Sequence, residues 1–337
     1  MKTRRRVRGG AILGEGAHGI TYNLCKDDKV SFCDELEKQS MKQIILSTVD
    51  GMKTLSEKDD IHKFIKYLRT KNDHIAKIFK PSGIFISTIK KEYEKEIESG
   101  KKIIELYGKQ ADKYLTIAPL KGFQSHKLYG AIFEGSVTTM YAIFGTKCNN
   151  KYEMVPSKFI NELLQSIAIL QENEYMHNDI KNDNIVKCSD RYKLIDWGAA
   201  NKLDRFVKPG SLLTTSPLRW YCYDRRLIKL MCVKLLPFRA YMLEPLAAKS
   251  NLFKQIVTKI QTEFYEVTNH GLSKDALFEK YKYTFDLFQL GMTLVYAIYD
   301  KPAYHKKFIP IIEYLISLTD PPKNAKEAFT HVKLLLK

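Results

Sequence analysis

Tyr175-Met176-His177-Asn178-Asp179-Ile180-Lys181-Asn182-Asp183-Asn184-Ile185-Val186 and, after a short predicted strand, Lys193-Leu194-Ile195-Asp196-Trp197-Gly198 together concentrate more chemistry than any other part of this chain. Within two dozen residues they supply a candidate general base (Asp179), a cation two residues on (Lys181) and two candidate oxygen ligands for a hard divalent cation (Asn184 and Asp196). Such a set suits transfer of a phosphoryl group from ATP to a hydroxyl. That reaction asks for positioning, hard-cation ligands and charge set against the transferring group. Each residue alone has a plainer reading, since an Asp or Asn in a polar loop usually caps a turn. The joint spacing is what carries weight.

The pattern H-x-D-x-K-x-x-N followed by D-x-G resembles the eukaryotic-type protein kinases. It departs from their commonest form at Asn178, where Arg is usual, and at Trp197, where Phe is usual. The resemblance implies that Asp179 accepts the proton of the substrate hydroxyl, that Asn184 and Asp196 hold Mg2+ (with Mn2+ as a substitute), and that His177 props the loop through backbone hydrogen bonds. Lys181, two residues after the base, follows the serine/threonine-directed form. Gly210-Ser211 and Ser216-Pro217 match the spacing of the family's Gly-Thr and Ala-Pro-Glu segment, which makes Ser211 the hydroxyl expected to bridge Asp179 and Lys181. Leu218 stands where the family has Glu, and no Arg follows Arg239, so both halves of the family's buried ion pair are expected to be missing together. Phe285-Asp286-Leu287-Phe288-Gln289-Leu290-Gly291 resembles the central helix of the family's large lobe, whose Asp hydrogen-bonds the catalytic-loop backbone.

Upstream, Gly14-Glu15-Gly16-Ala17-His18-Gly19 precedes Ile20-Thr21-Tyr22. G-x-G-x-x-G alone is weak, being shared with dinucleotide-binding folds, but a β-prone run after it favours glycines at the tip of a hairpin. The resemblance then lays Gly14, Gly16 and Gly19 over the phosphates of ATP. His74–Phe79 reads as a strand, and Lys77 matches the Lys that contacts the α- and β-phosphates, with Lys80 as rival. Its Glu partner is expected on the helix Ile89–Tyr107. Glu96 has the family separation, and Glu92, Glu94 and Glu98 compete with it.

The expected fold is α+β and bilobal, with a small β-rich lobe over about residues 9–135 and a larger, mostly helical lobe over about 136–337. A basic tail (1–8) precedes them. Two helical insertions are expected: about 30–72, with helices near Phe32–Val49 and Glu57–Leu68, and about 219–282. Pro156-Ser157 should introduce a helix with the apolar face Phe159, Ile160, Leu163, Leu164, Ile167 and Leu170, Ser157 being its N-cap.

The resemblance as a whole implies an ATP-dependent serine/threonine kinase acting on protein hydroxyls. The Arg4-Arg5-Arg6-Val7-Arg8 opening and the abridged carboxyl end look like kinases of large cytoplasmic DNA viruses. Two alternatives stay open, a pseudokinase scaffold and a small-molecule phosphotransferase, although the former tends to lose the residues retained here and the latter usually carries D-x-[DE]. The net charge of +17 suits an acidic or nucleic-acid partner, or coding bias alone. No run of 18 apolar residues marks a membrane span, and the amino terminus lacks the apolar core of a secretory signal. Six cysteines without C-x-x-C spacing fit a reducing compartment, so cytoplasm or nucleus of a host cell is expected, with virion association as a variant. Finally, a phosphate on Thr214, Thr215 or Ser216 would meet no fixed cation at Asn178, so the enzyme is expected to be active as synthesised.

Overall fold

The computed structural model describes residues 12–15, 19–23, 44–48, 51–55, 59–60, 62–63, 66, 75–79, 98–110, 121–125, 128–133, 138–139, 156–188, 191–210, 214–223 and 250–337. The chain divides into two compact units, Met1–Val137 and Thr138–Lys337.

The first unit is built on a seven-stranded antiparallel sheet. Its strands are β1 (Ile12–Glu15), β2 (Gly19–Asn23), β3 (Ile44–Thr48), β4 (Gly51–Leu55), β5 (Ile75–Phe79), β6 (Lys121–Ser125) and β7 (Leu128–Phe133), in the order β1-β2-β5-β7-β6-β3-β4. β1 and β2 pair with a register shift between Ile12 and Gly14, the irregularity expected where a glycine interrupts a strand. In β5, Lys77 lies opposite Thr21 of β2 and Ala131 of β7. Residues 98–107 are helical.

One expectation is overturned here. The pattern near Phe32–Val49 does not end as a helix, because Ile44–Thr48 and Gly51–Leu55 form a hairpin that extends the sheet through β6. The signal lay in the sequence: β-branched residues run up to Val49-Asp50-Gly51, and Asp-Gly between β-prone runs is a strong turn signature. Helical spacing over so short an apolar run cannot be told from a strand by periodicity alone. Within Glu57–Leu68, residues 59–60, 62–63 and 66 are helical.

The second unit is mostly helical. It contains short strands β8 (Thr138–Thr139), β9 (Tyr175–Met176), β10 (Ile185–Cys188), β11 (Arg191–Leu194) and β12 (Asn201–Lys202). β10 pairs with both β11 and β8, and β12 pairs with β9, all antiparallel. Its helices among the described residues are α1 (Pro156–Glu172), α2 (Pro217–Tyr223), α3 (Asn251–Asn269), α4 (Lys274–Tyr281), α5 (Phe285–Ile298), α6 (Pro302–Ile316) and α7 (Ala325–Leu335). Phe159, Ile160, Leu163, Leu164, Ile167 and Leu170 of α1 are all fully buried, against β11 and α7. Ser157 is not the N-cap: the helix begins one residue earlier at Pro156, whose fixed φ and missing N–H suit the first turn.

α5 is the axis of this unit. Every one of its residues except Tyr296 is buried, including Asp286, Gln289 and Thr293. A helix apolar all round belongs in a core, and polar side chains kept there must find partners. Those of α5 find them in one loop.

Candidate active site

The loop 177–184 runs from β9 into β10 and is held from below by α5. Both carboxylate oxygens of Asp286 accept backbone N–H bonds, from His177 at 2.7 Å and from Asn178 at 2.9 Å. This is the contact expected of that Asp from the resemblance. The His177 ring packs tilted against Trp197, 4.6 Å between centroids with the planes at 56°, and shares a hydrogen bond with the Ile195 carbonyl at 3.1 Å. One buried imidazole therefore ties the loop to the segment carrying Asp196.

On this support the polar residues converge. Lys181 Nζ donates to Asp179 Oδ2 at 2.7 Å, and Asn184 Nδ2 donates to the same oxygen at 2.9 Å and to the Asp179 carbonyl at 2.9 Å. Both amide protons of Asn184 are thus directed at Asp179, so its side-chain oxygen is the atom it can offer a cation. Asp196 is brought to the same end of the β10–β11 hairpin: the Ile195 N–H donates to the Asn184 carbonyl at 2.9 Å, and Ile185 pairs with Leu194. Asp179, Asp196 and Asp286 all act electrostatically on His177. An amide oxygen plus a carboxylate are hard donors that fit a Mg2+ ion completing its shell with phosphate and water oxygens. Among the described residues no cluster of three His, Cys, Asp or Glu side chains could hold a metal by itself.

Two non-glycine residues here have left-handed backbone, Asn178 at φ 65° and Asp196 at φ 63°. Asn and Asp are the side chains that tolerate this region best. Asn178 in place of Arg therefore suits its backbone, and its Nδ2 donates to the Lys208 carbonyl at 2.8 Å and the Ala199 carbonyl at 3.4 Å. The same residue's carbonyl accepts from Gly210 N at 3.1 Å. Gly210 is forced by contact: a Cβ there would lie 2.2 Å from the Asn178 oxygen and 2.8 Å from Asp179 Cβ.

The structure thus gathers Asp179, Lys181, Asn184 and Asp196. Gly14 lies in β1, Gly19 opens β2, and Lys77 lies in β5. Gly16, Glu96, Lys80 and Ser211 lie outside the described residues. One expectation is corrected: Thr214, Thr215 and Ser216 are not open phosphate acceptors, because all three are buried, Thr215 completely. A modifying enzyme cannot reach a hydroxyl enclosed in a core without local unfolding. Arg219, expected as the first residue of an insertion, also belongs to the core. It is fully buried in α2, donates to the Asp204, Arg205 and Val207 carbonyls at 2.5–3.1 Å and lies over the Phe278 and Phe285 rings. Burial pushes its guanidinium down to about 10. Gln289 was the other residue the sequence did not announce, and no motif marks either position.

Burial lowers the His177 pKa from 6.5, an effect the nearby carboxylates partly offset. Burial raises Asp286 from 3.8, opposed by His177 and by the two amides it accepts. As pH falls below 6.5 the unfolded chain protonates His177 before the folded chain does, so this contribution to stability is present above 6.5 and lost on acidification. Asp286 acts in the opposite sense, its contribution declining as pH rises from 3.8 through the raised value. His177→Gln should therefore recover stability relative to wild type as pH falls from about 7 to about 5, measured as the difference in urea midpoints. A difference that stays constant with pH would show that His177 protonates alike in both states.

Among the described residues, no helix is long and apolar enough to cross a membrane. Comparison with protein-family models returns no match for this chain, and comparison with curated proteins returns no significant relative.

Proposed function

We propose that this chain is an ATP-dependent protein kinase of bilobal build that transfers the γ-phosphate to serine or threonine hydroxyls of proteins. The observation that carries the reading is the Asp179 carboxylate, held by Lys181 and Asn184 on a loop whose backbone is anchored by buried Asp286. Asp179 is oriented to accept a hydrogen bond from the acceptor hydroxyl and take its proton as the new P–O bond forms. Lys181 neutralises charge on the transferred phosphoryl group as it approaches the acceptor oxygen and the bond to the departing ADP oxygen breaks. Asn184 and Asp196 would hold Mg2+, which when bound supplies charge stabilisation to the phosphates. Ser211 is assigned the bridging hydroxyl. Gly14, Gly16, Gly19 and Lys77, the last with Glu96, are assigned to the nucleotide.

The test is incorporation of labelled γ-phosphate from Mg-ATP into generic basic and acidic proteins, followed by phosphoamino-acid analysis. Phosphoserine or phosphothreonine is expected. Label confined to small-molecule alcohols, or none at all, would overturn the reading.

Lys77 and Lys80 can be separated directly. Lys77 is expected to be the nucleotide contact, since its separation from Glu96 matches the family and alternation puts it on one strand face with Ile75. Lys77→Met should weaken ATP binding and abolish most transfer, while Lys80→Met should change either by less than about threefold, the usual scale for a charge with no dedicated partner role. The reverse outcome would move the assignment to Lys80.

A further inference from the structure

The peptide groups on either side of Asp179 share a single partner. The Ile180 N–H donates to Gln289 Oε1 at 2.6 Å, and the Asn178 carbonyl accepts from Gln289 Nε2 at 3.1 Å. The same Nε2 donates to Thr215 Oγ1 at 2.8 Å. Gln289 is 1% exposed and Thr215 fully buried, so water does not compete for these bonds. Only one orientation of the amide satisfies all three, because a flipped group would set its N–H donors against the Ile180 N–H and its oxygen against the Asn178 carbonyl. Thr293 supports the arrangement, its hydroxyl donating to the Gln289 carbonyl at 2.7 Å one helical turn away.

We infer that Gln289 is a positioning residue that fixes the backbone on both sides of Asp179 and couples it to the buried segment at Thr215. Asp286 anchors the loop one residue earlier, at the His177 and Asn178 N–H groups, and leaves the Asn178 carbonyl and the Ile180 N–H unheld. Gln289 takes both. With φ and ψ of Asp179 bracketed in this way, the carboxylate stays against Lys181 and Asn184. Thr215, reached through the same amide, makes the conformation of 214–216 part of the geometry at Asp179. Gly210 N, on the far side, completes the hold on the Asn178 carbonyl.

The inference rests on the phosphoryl-transfer reading for its kinetic arm, and on hydrogen exchange for an arm that needs no turnover. Gln289→Met keeps side-chain length and removes all three bonds. Thr215→Val keeps shape and removes the bond to Gln289 Nε2. Displacing a base by a fraction of an ångström should lower kcat by roughly 10–100-fold in Gln289→Met, with ATP affinity and acceptor KM changed less than about twofold. Thr215→Val should lower kcat in the wild-type background and have a clearly smaller effect in the Gln289→Met background, since its bond to Gln289 is already gone there. In both variants, peptides covering 177–184 should exchange amide hydrogens faster than in wild type, while peptides covering α6 are unchanged. Unaltered protection of 177–184 overturns the inference even if the wild-type protein transfers no phosphate. So does additivity of the two substitutions in an active enzyme, or an effect confined to thermal stability with kcat intact. Absence of transfer by wild type, with exchange accelerated as expected, overturns the kinase reading alone.

Discussion

Asp179→Asn is expected to bind ATP with wild-type affinity, within about twofold, and to transfer its γ-phosphate about 10²–10⁴-fold more slowly, the usual cost of losing a positioned base. The substitution is nearly isosteric, so the folded state should survive it. The loop is anchored mainly through Asp286, Gln289 and the Asn184 bond to the Asp179 carbonyl, none of which uses the Asp179 side chain. What is lost is the carboxylate that Lys181 and Asn184 both grip. Asp183, close by in sequence, is exposed and cannot take over without rebuilding the turn. Nucleotide titration by fluorescence and single-turnover label transfer separate the two effects. A variant that transfers at the wild-type rate would remove Asp179 from the role of base, and with it the main support for the kinase reading.

Arg219→Met is expected to destabilise the second unit by about 2–4 kcal/mol, most of it from backbone carbonyls left without donors. Replacing a buried charge by a well-packed hydrophobe can be neutral when the partner is replaced as well. Here the partners are the main-chain oxygens of Asp204, Arg205 and Val207, which stay in place when the guanidinium goes. Part of the cost is recovered, because Met can fill the space beside Phe278 and Phe285 and no cation then has to be desolvated. Some carbonyls will also reach water, since Asp204 and Phe206 are exposed. The larger consequence is local. Residues 204–207 lie just before Lys208, whose carbonyl accepts from Asn178, and Gly210, which packs on Asp179. Loosening them should raise amide exchange over 203–210 more than elsewhere in the unit and reduce any transfer activity beyond what global stability predicts. Urea unfolding and exchange measured together decide the matter. Wild-type protection over 203–210 in a folded Arg219→Met protein would mean that the three carbonyl contacts hold nothing in place.

These contacts bear on control. Asn178 and Arg219 are neutral-amide and guanidinium donors that hold the segment after Asp196 by its own carbonyls, and Thr214–Ser216 are enclosed in the core. The expectation of an enzyme active as synthesised keeps its motive from Asn178. Its supposed acceptor sites are replaced by buried structural hydroxyls.

Residue order alone was enough to pick out the polar residues that the loop gathers and several elements around it. Asp179, Lys181, Asn184 and Asp196 could be singled out together because they lie at short separations along one chain segment, and the fold gathers them. The buried face of α1 was legible for a similar reason, since six apolar residues at helical spacing have one face to bury. The β1–β2 hairpin followed from β-prone residues after glycines. What only the tertiary structure decided was long-range or ambiguous in period. The hairpin at 44–55 joins a sheet through β6, whose strand lies far along the chain, and local periodicity does not encode that pairing. Gln289 reaches across 109 positions to Ile180, and Arg219 reaches back 12 to 15 positions to a loop of irregular conformation. A buried glutamine or arginine looks in the sequence like any surface polar residue. Its partners are backbone groups, which carry no residue identity, so only the folded chain tells which carbonyls and amides it must satisfy.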